Sequence, residues 1–100
     1  MGLKFEWDKN KALANFRKHG VGFDEAITVF SDPFGRIFYD PEHSSTEERE
    51  IIIGHSINQR LLLVCFTERG RDVVRIFSAR RATKRERKNY EENSAIKNHS

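Results

Sequence analysis

Seven side chains of this 100-residue chain could hold an anion or move a proton: Arg75, Arg80, Arg81, Glu68, His19, His55 and Tyr90. Arginine grips a phosphate through two parallel N–H bonds. Glutamate, histidine and tyrosine exchange protons where a site tunes them. Together they supply what metal-free RNA cleavage requires. One group takes the proton from a ribose 2′-hydroxyl, cations hold the in-line phosphate, and an acid protonates the leaving 5′-oxygen.

Other chemistries lack their parts. One cysteine and four scattered histidines do not make zinc-ligand spacing. Gly20-Val21-Gly22 has neither the preceding strand nor the following Lys-Ser/Thr of a phosphate loop. No serine-nucleophile motif occurs. The acids fall mostly in expected helices and loops, whereas a metal-dependent nuclease clusters carboxylates at strand ends. No metal and no cofactor are therefore expected.

Each of these residues also has a purely structural account. Arg80 and Arg81 could be solvated ends of a strand and a helix. Glu68 and Arg69 could flank a hairpin turn. Lys18 and His19 stand in the last turn of an expected helix, where positive charge favours the negative helix end. His55 alternates with Ile51, Ile53 and Ile57 and reads as a core-edge histidine. Lys84, Arg85, Arg87 and Lys88 spread around a helix, and Tyr90 would pack that helix onto a sheet.

Charge distribution weighs on the functional side. Residues 80–100 hold seven Lys/Arg against three Asp/Glu, while residues 1–79 hold eleven against twelve. The basic character is local, which points to a placed anionic partner more than to general solubility.

No apolar run approaches the roughly 20 residues needed to span a bilayer. The start, MGLKFEWDKN, carries acids and no apolar core, so no signal peptide is expected. The single Cys65 lies in LLLVCF and reads as a small core residue. A reducing cytoplasm is the expected compartment.

The elements that must position these groups follow from periodicity. LKFEW alternates as a short strand. Asp8 suits an N-cap and Gly20 a helix end, with Ala12, Leu13 and Phe16 at helical spacing between them. Phe23, Ala26, Ile27 and Phe30 predict a second helix that Asp32-Pro33 closes. GRIFYD, REIIIGHSI, RLLLVCFTE and DVVRIFSAR read as strands, with DPEHSSTEE a polar loop.

Asn58-Gln59 and Gly70-Arg71 suit two-residue hairpins, which would set Ile53 opposite Val64 and Phe66 opposite Arg75. Arg75, in mid-strand, needs a carboxylate or phosphate, with Glu68 the nearest acid on its expected face. Thr83 and Glu86 form a capping box opening a last helix to about Glu92. The expected architecture is α+β: an antiparallel sheet of about four strands, two N-terminal helices packed on it, and a C-terminal helix. Residues 1–92 make one domain and 93–100 a flexible tail.

Two stretches resemble the BrnT toxins. One is W-D-x-x-K-x-x-x-N-x-x-K-H-G-V at Trp7 to Val21, the other R-I-x-S-A-R-x-A-T-x-x-E-R-x-x-Y-E at Arg75 to Glu91. The resemblance runs from about Phe5 to Glu92. It implies a RelE-like fold and a metal-independent ribonuclease toxin of a type II toxin–antitoxin pair, inhibiting translation. It also implies a BrnA-like ribbon-helix-helix antitoxin that neutralises the toxin and alone reads operator DNA. Arg75 and Arg80 are carried over from the matched R-I-x-S-A-R as catalytic residues. Glu68 and His19 are expected as proton carriers, and Lys18, Arg69, Arg81 and Lys84 as RNA contacts. The rival reading is a module that binds RNA or a repressor and cuts nothing. A third is a folded but inactive toxin acting as a corepressor.

Overall fold

The structure, a computed structural model, describes residues 2–40 and 47–99, with side chains as far as 92. Most of the expected 40–48 loop lies outside the described residues.

The β-branched and aromatic runs form one five-stranded sheet: β1 (Lys4–Glu6), β2 (Arg36–Tyr39), β3 (Glu50–His55), β4 (Leu61–Glu68) and β5 (Val73–Arg81). The order is β1-β5-β4-β3-β2. The sheet therefore departs from the expected four antiparallel strands. β1 pairs in parallel with β5, Glu6 standing beside Arg75. This corrects the partner of Arg75 as well. Its guanidinium meets Glu6 at 3.0 Å, and Glu68 is exposed elsewhere.

Both central hairpins close through three-residue loops, one residue longer than expected. Ser56 N–H donates to the Arg60 carbonyl, and Arg69 N–H to the Val73 carbonyl. The last loop residues, Gln59 and Asp72, adopt left-handed φ of 64° and 62°, as this loop class demands. The extra residue in each turn inverts β4 relative to both neighbours. Ile52 now faces Val64, and Ile53 faces Leu63. A register shift between Cys65 and Phe66 leaves Phe77 as a bulge on β5.

One face of the sheet carries Ile52, Leu62, Val64, Phe66, Val74 and Ile76. These pack against Val21, Phe23, Ala26 and Val29. Burying Phe66 or Leu62 contributes about 2–3 kcal/mol each. Aromatic contacts tie the periphery to this core: Phe30 meets both Phe5 and Phe66, and Trp7 stands edge-on to Phe23. The opposite face carries Ile53, Leu61 and Leu63, covered by Tyr90.

Helix α1 (Lys9–His19) starts and stops as its sequence predicts. Asp8 accepts from Lys11 N–H at 3.0 Å, and Gly20, at φ 69°, donates its N–H to the Phe16 carbonyl. Its inward face is different from the expected one. Leu13 and Phe16 are 58% exposed, and the buried residue is Asn15. The reason is that α1 runs along the edge of β5 beyond the end of β1. That edge offers backbone polar groups, which an amide satisfies and a leucine cannot.

The second helix is also shorter than expected: α2 (Phe23–Ala26) tightens into a 3-10 turn over Ile27–Ser31. The buried residues Phe23, Ala26 and Val29 recur every third position, which matches three residues per turn. Asp32, extended before Pro33, ends it. The last helix, α3 (Lys84–His99), opens with the expected capping box, Thr83 N–H to Glu86 and Glu86 N–H to Thr83. Its backbone continues past the expected end near Glu92; side chains of the expected 93–100 tail lie outside those described. No helix among the described residues is long and apolar enough to cross a membrane.

Candidate functional site

A concavity of about 450 Å³ opens where α1, the bulged half of β5 and the ends of β2 and β3 converge. Ile51, Leu63 and Cys65 form its floor. Phe77, Ser78, Ala79 and Arg80 form one wall, and Lys11 and His19 reach in from α1. Asp40 and Arg49 close the far side. The described lining thus sets Lys11, His19, Arg49 and Arg80 against one carboxylate, Asp40.

Three local devices place these side chains. The Asn15 amide locks α1 to β5, donating to the Ala79 carbonyl at 2.9 Å and accepting from Ala79 N–H at 3.1 Å. His19 lies one helical turn beyond Asn15 on the same side of α1 and so enters the concavity. Phe77 alternates with core Ile76 and so faces the site, and the bulge there brings Arg80 onto the same face. The Phe77 ring carries two cations, the Arg49 guanidinium carbon 3.8 Å and Lys11 Nζ 5.5 Å from the centroid. Arg80 is held by Glu86 through two hydrogen bonds of 2.9 Å. That guanidinium keeps the Glu86 carboxyl at about 2, against an ordinary 4.5. Burial raises the Cys65 thiol, and Asp40 raises it further, so the floor cysteine stays protonated and apolar.

Of the expected catalytic residues, His19 and Arg80 meet here. Arg75 stands outside the lining, paired with Glu6 and near enough to Asp8 to help lower that carboxyl behind its backbone hydrogen bonds. Glu68 is exposed, close to Glu50, whose carboxyl is raised first by burial and then by that neighbouring charge. Arg69 pairs with Glu47 at 3.3 Å. Lys18, Arg81 and Lys84 are exposed.

Lys11, Arg49, Asp40 and Phe77 are lining residues that sequence reasoning missed. Lys11 stood in the matched W-D-x-x-K stretch. Arg49 and Asp40 bracket a polar loop that reads as solvated, and nothing in their spacing marks them.

His55 belongs to a different cluster. Tyr90 donates to Asp32 Oδ2 at 2.5 Å, His55 N–H donates to the same oxygen at 2.7 Å, and His55 Nδ1 lies 3.2 Å from the Tyr90 hydroxyl. Burial raises the Asp32 carboxyl, but these donors outweigh it and leave it below the usual range. The cluster pins α3 to β3. Among the described residues no three His, Cys, Asp or Glu side chains group as metal ligands.

Fold and site together define a small α+β domain with a cation-lined cleft on one face of the central strands, suited to an anionic ligand. The family of ribonuclease toxins named BrnT, of type II toxin–antitoxin systems, matches residues 7–86. The crystal structure of the Brucella abortus ribonuclease toxin BrnT is similar, with a TM-score of 0.64 at 25% identity. That likeness covers 82% of this chain and 99% of the other. No curated protein matches the sequence. The chain belongs to the BrnT family.

Proposed function

We propose that this protein is a metal-independent endoribonuclease that arrests translation in the cytoplasm, with the cleft between α1 and β5 as its active site. The observation that carries the reading is the convergence of His19 and Arg80, from opposite ends of the chain, with Lys11 and Arg49 in one concavity. Arg80 holds the scissile phosphate. His19 takes the proton from the ribose 2′-hydroxyl, and water protonates the leaving 5′-oxygen on the opposite side of the in-line phosphorus. Lys11 and Arg49 stabilise charge developing on the phosphate. Arg75 with Arg69, and the exposed Lys18, Arg81 and Lys84, meet flanking phosphates of the RNA, whereas the Glu68 carboxylate lies outside the cleft lining. The described lining offers donors for oxyanions and a single carboxylate, which suits phosphate contact by cations more than by a bound metal.

Its partner is a BrnA-like ribbon-helix-helix antitoxin, through which alone the pair meets operator DNA. One observation favours the rival module that binds without cutting: Arg75 and Arg80 both face internal carboxylates, Glu6 and Glu86.

Incubation of purified protein with RNA in excess chelator separates the two. Cleavage is expected, and Arg80→Ala or His19→Ala should lower it by about 10²–10³-fold while the fold is kept. Salt-sensitive binding without scission would overturn the nuclease reading in favour of the module.

A further inference from the structure

Arg80 is fixed in one orientation by three bonds. Nη1 donates to Glu86 Oε1 at 2.9 Å and to the Arg81 carbonyl at 3.2 Å, and Nη2 donates to Glu86 Oε2 at 2.9 Å. A guanidinium has five N–H bonds in one plane. The carboxylate fills the distal fork between Nη1 and Nη2, and the Arg81 carbonyl takes the other Nη1 hydrogen. What remains is Nε–H and the second Nη2 hydrogen. These lie side by side and form the second bidentate fork of the group, the shape that grips two phosphate oxygens.

The surroundings set the direction of that fork. Arg80 lines the cleft, whereas Glu86 lines a smaller neighbouring hollow beneath α3, and Leu63 belongs to both. Glu86 therefore grips Arg80 from the side away from the cleft. Glu86 is itself anchored, because its Oε1 also accepts from Thr83 N–H at 2.8 Å in the capping box.

We infer that Glu86 is a positioning residue: it clamps the Arg80 guanidinium to the start of α3 so that the Nε/Nη2 fork is presented to an RNA phosphate in the cleft. This rests on reading the cleft as the RNA site. Glu86 touches no RNA and acts through Arg80. The low pKa of its carboxyl keeps the clamp charged throughout the neutral range.

The test is a double-mutant cycle on RNA cleavage by the purified full chain, with binding to a 2′-O-methyl RNA oligonucleotide as second readout. E86Q keeps shape but places an amide N–H₂ where Arg80 needs an acceptor. It should lower kcat about tenfold or more with KM within a few-fold, and R80A/E86Q should be no worse than R80A. Thr83→Ala removes the other half of the capping box, the Glu86 N–H to Thr83 Oγ1 bond, and leaves the Arg80–Glu86 clamp in place. It should lower the thermal midpoint and hold kcat within about twofold of the parent.

A faster E86Q enzyme would overturn the inference, because Glu86 would then be competing with substrate for Arg80. A loss equally large in the R80A background would also overturn it, since Glu86 would then act elsewhere. Should E86Q fail to fold, Glu86→Asp, which keeps the charge on a shorter stem, is expected to lose kcat, and full activity there would count against the clamp. R80A with parental cleavage and binding would instead remove Arg80 from the RNA site. R80A inactive beside a fully active E86Q would sink the clamp alone.

Discussion

Asn15 and Ala79 pair as two residues of adjacent strands would, with a side-chain amide in place of a backbone. Asn15 donates to the Ala79 carbonyl and accepts from its N–H, and its second donor bond goes to the Val21 carbonyl. β1 stops beside Arg75, so without this amide the outer edge of β5 at Ala79 would be buried and unpaired. Asn15→Ala should destabilise the fold by about 2–4 kcal/mol, since it strands buried backbone groups. Asn15→Asp should cost at least as much, because a carboxylate would face two carbonyl oxygens. Urea denaturation curves with unchanged slope and a lowered midpoint would show it.

The acid limb of stability should be led by two clamped glutamates, with the lowered Asp32 carboxyl behind them. Glu25 accepts from Arg60 Nε at 2.9 Å, from Arg60 Nη2 and from Ser56 Oγ, and Arg60 reaches on to the Gly20 carbonyl. The Arg60 hydrogen bonds come first among the causes that bring Glu25 from 4.5 to about 2, and Arg80 does the same for Glu86. A depressed carboxyl stabilises the fold fully above its unfolded value and ceases to do so as pH falls through the folded one. The thermal midpoint should therefore be flat from neutral pH to about 5 and drop between about 4.5 and 2. Glu25→Gln should lower stability at pH 7 by on the order of 2–3 kcal/mol, read as a lower thermal midpoint, and flatten the acid limb.

Helix ends and strand positions were legible from sequence because their signals are local. Asp8, Gly20, Thr83 and Glu86 each act within a few residues of themselves. The relation between strands was not. Whether a turn holds two residues or three depends on Gln59 and Asp72 entering the left-handed region, which neither residue type announces, and that single choice inverted β4. The bulge at Phe77 has no local mark either. The site was half legible for the same reason. His19 and Arg80 stand out as chemical groups, whereas Arg49 and Asp40 gain meaning only once the sheet sets them across from Phe77. The partner of Arg75 depended on β1 joining in parallel from the other end of the chain.

Tyr90 should prove the main anchor of α3. It is 4% exposed, packs with Ile53, Leu61 and Leu63, and donates to Asp32. Tyr90→Phe keeps the ring and deletes the donor, so it should cost about 1–2 kcal/mol and raise the Asp32 carboxyl, measurable as a carbon-13 chemical-shift titration. Tyr90→Ala should cost about 3–5 kcal/mol and loosen α3, seen as faster amide exchange along that helix.

The two cations on Phe77 allow charge and placement to be separated. Arg49→Ala deletes a charge. If the cleft binds RNA, the plot of log affinity against log salt should become shallower by about 0.7, with weaker binding at low salt. Phe77→Leu deletes no charge but removes the ring that holds Arg49 and Lys11. The cation–π contact is worth about 0.5–2 kcal/mol. Phe77→Leu should therefore weaken binding severalfold with the salt slope unchanged. An equal loss of slope in both variants would mean that without the ring Arg49 leaves the RNA altogether, so that charge and placement are not separable at this site. Intact binding in both would place the RNA elsewhere on the surface.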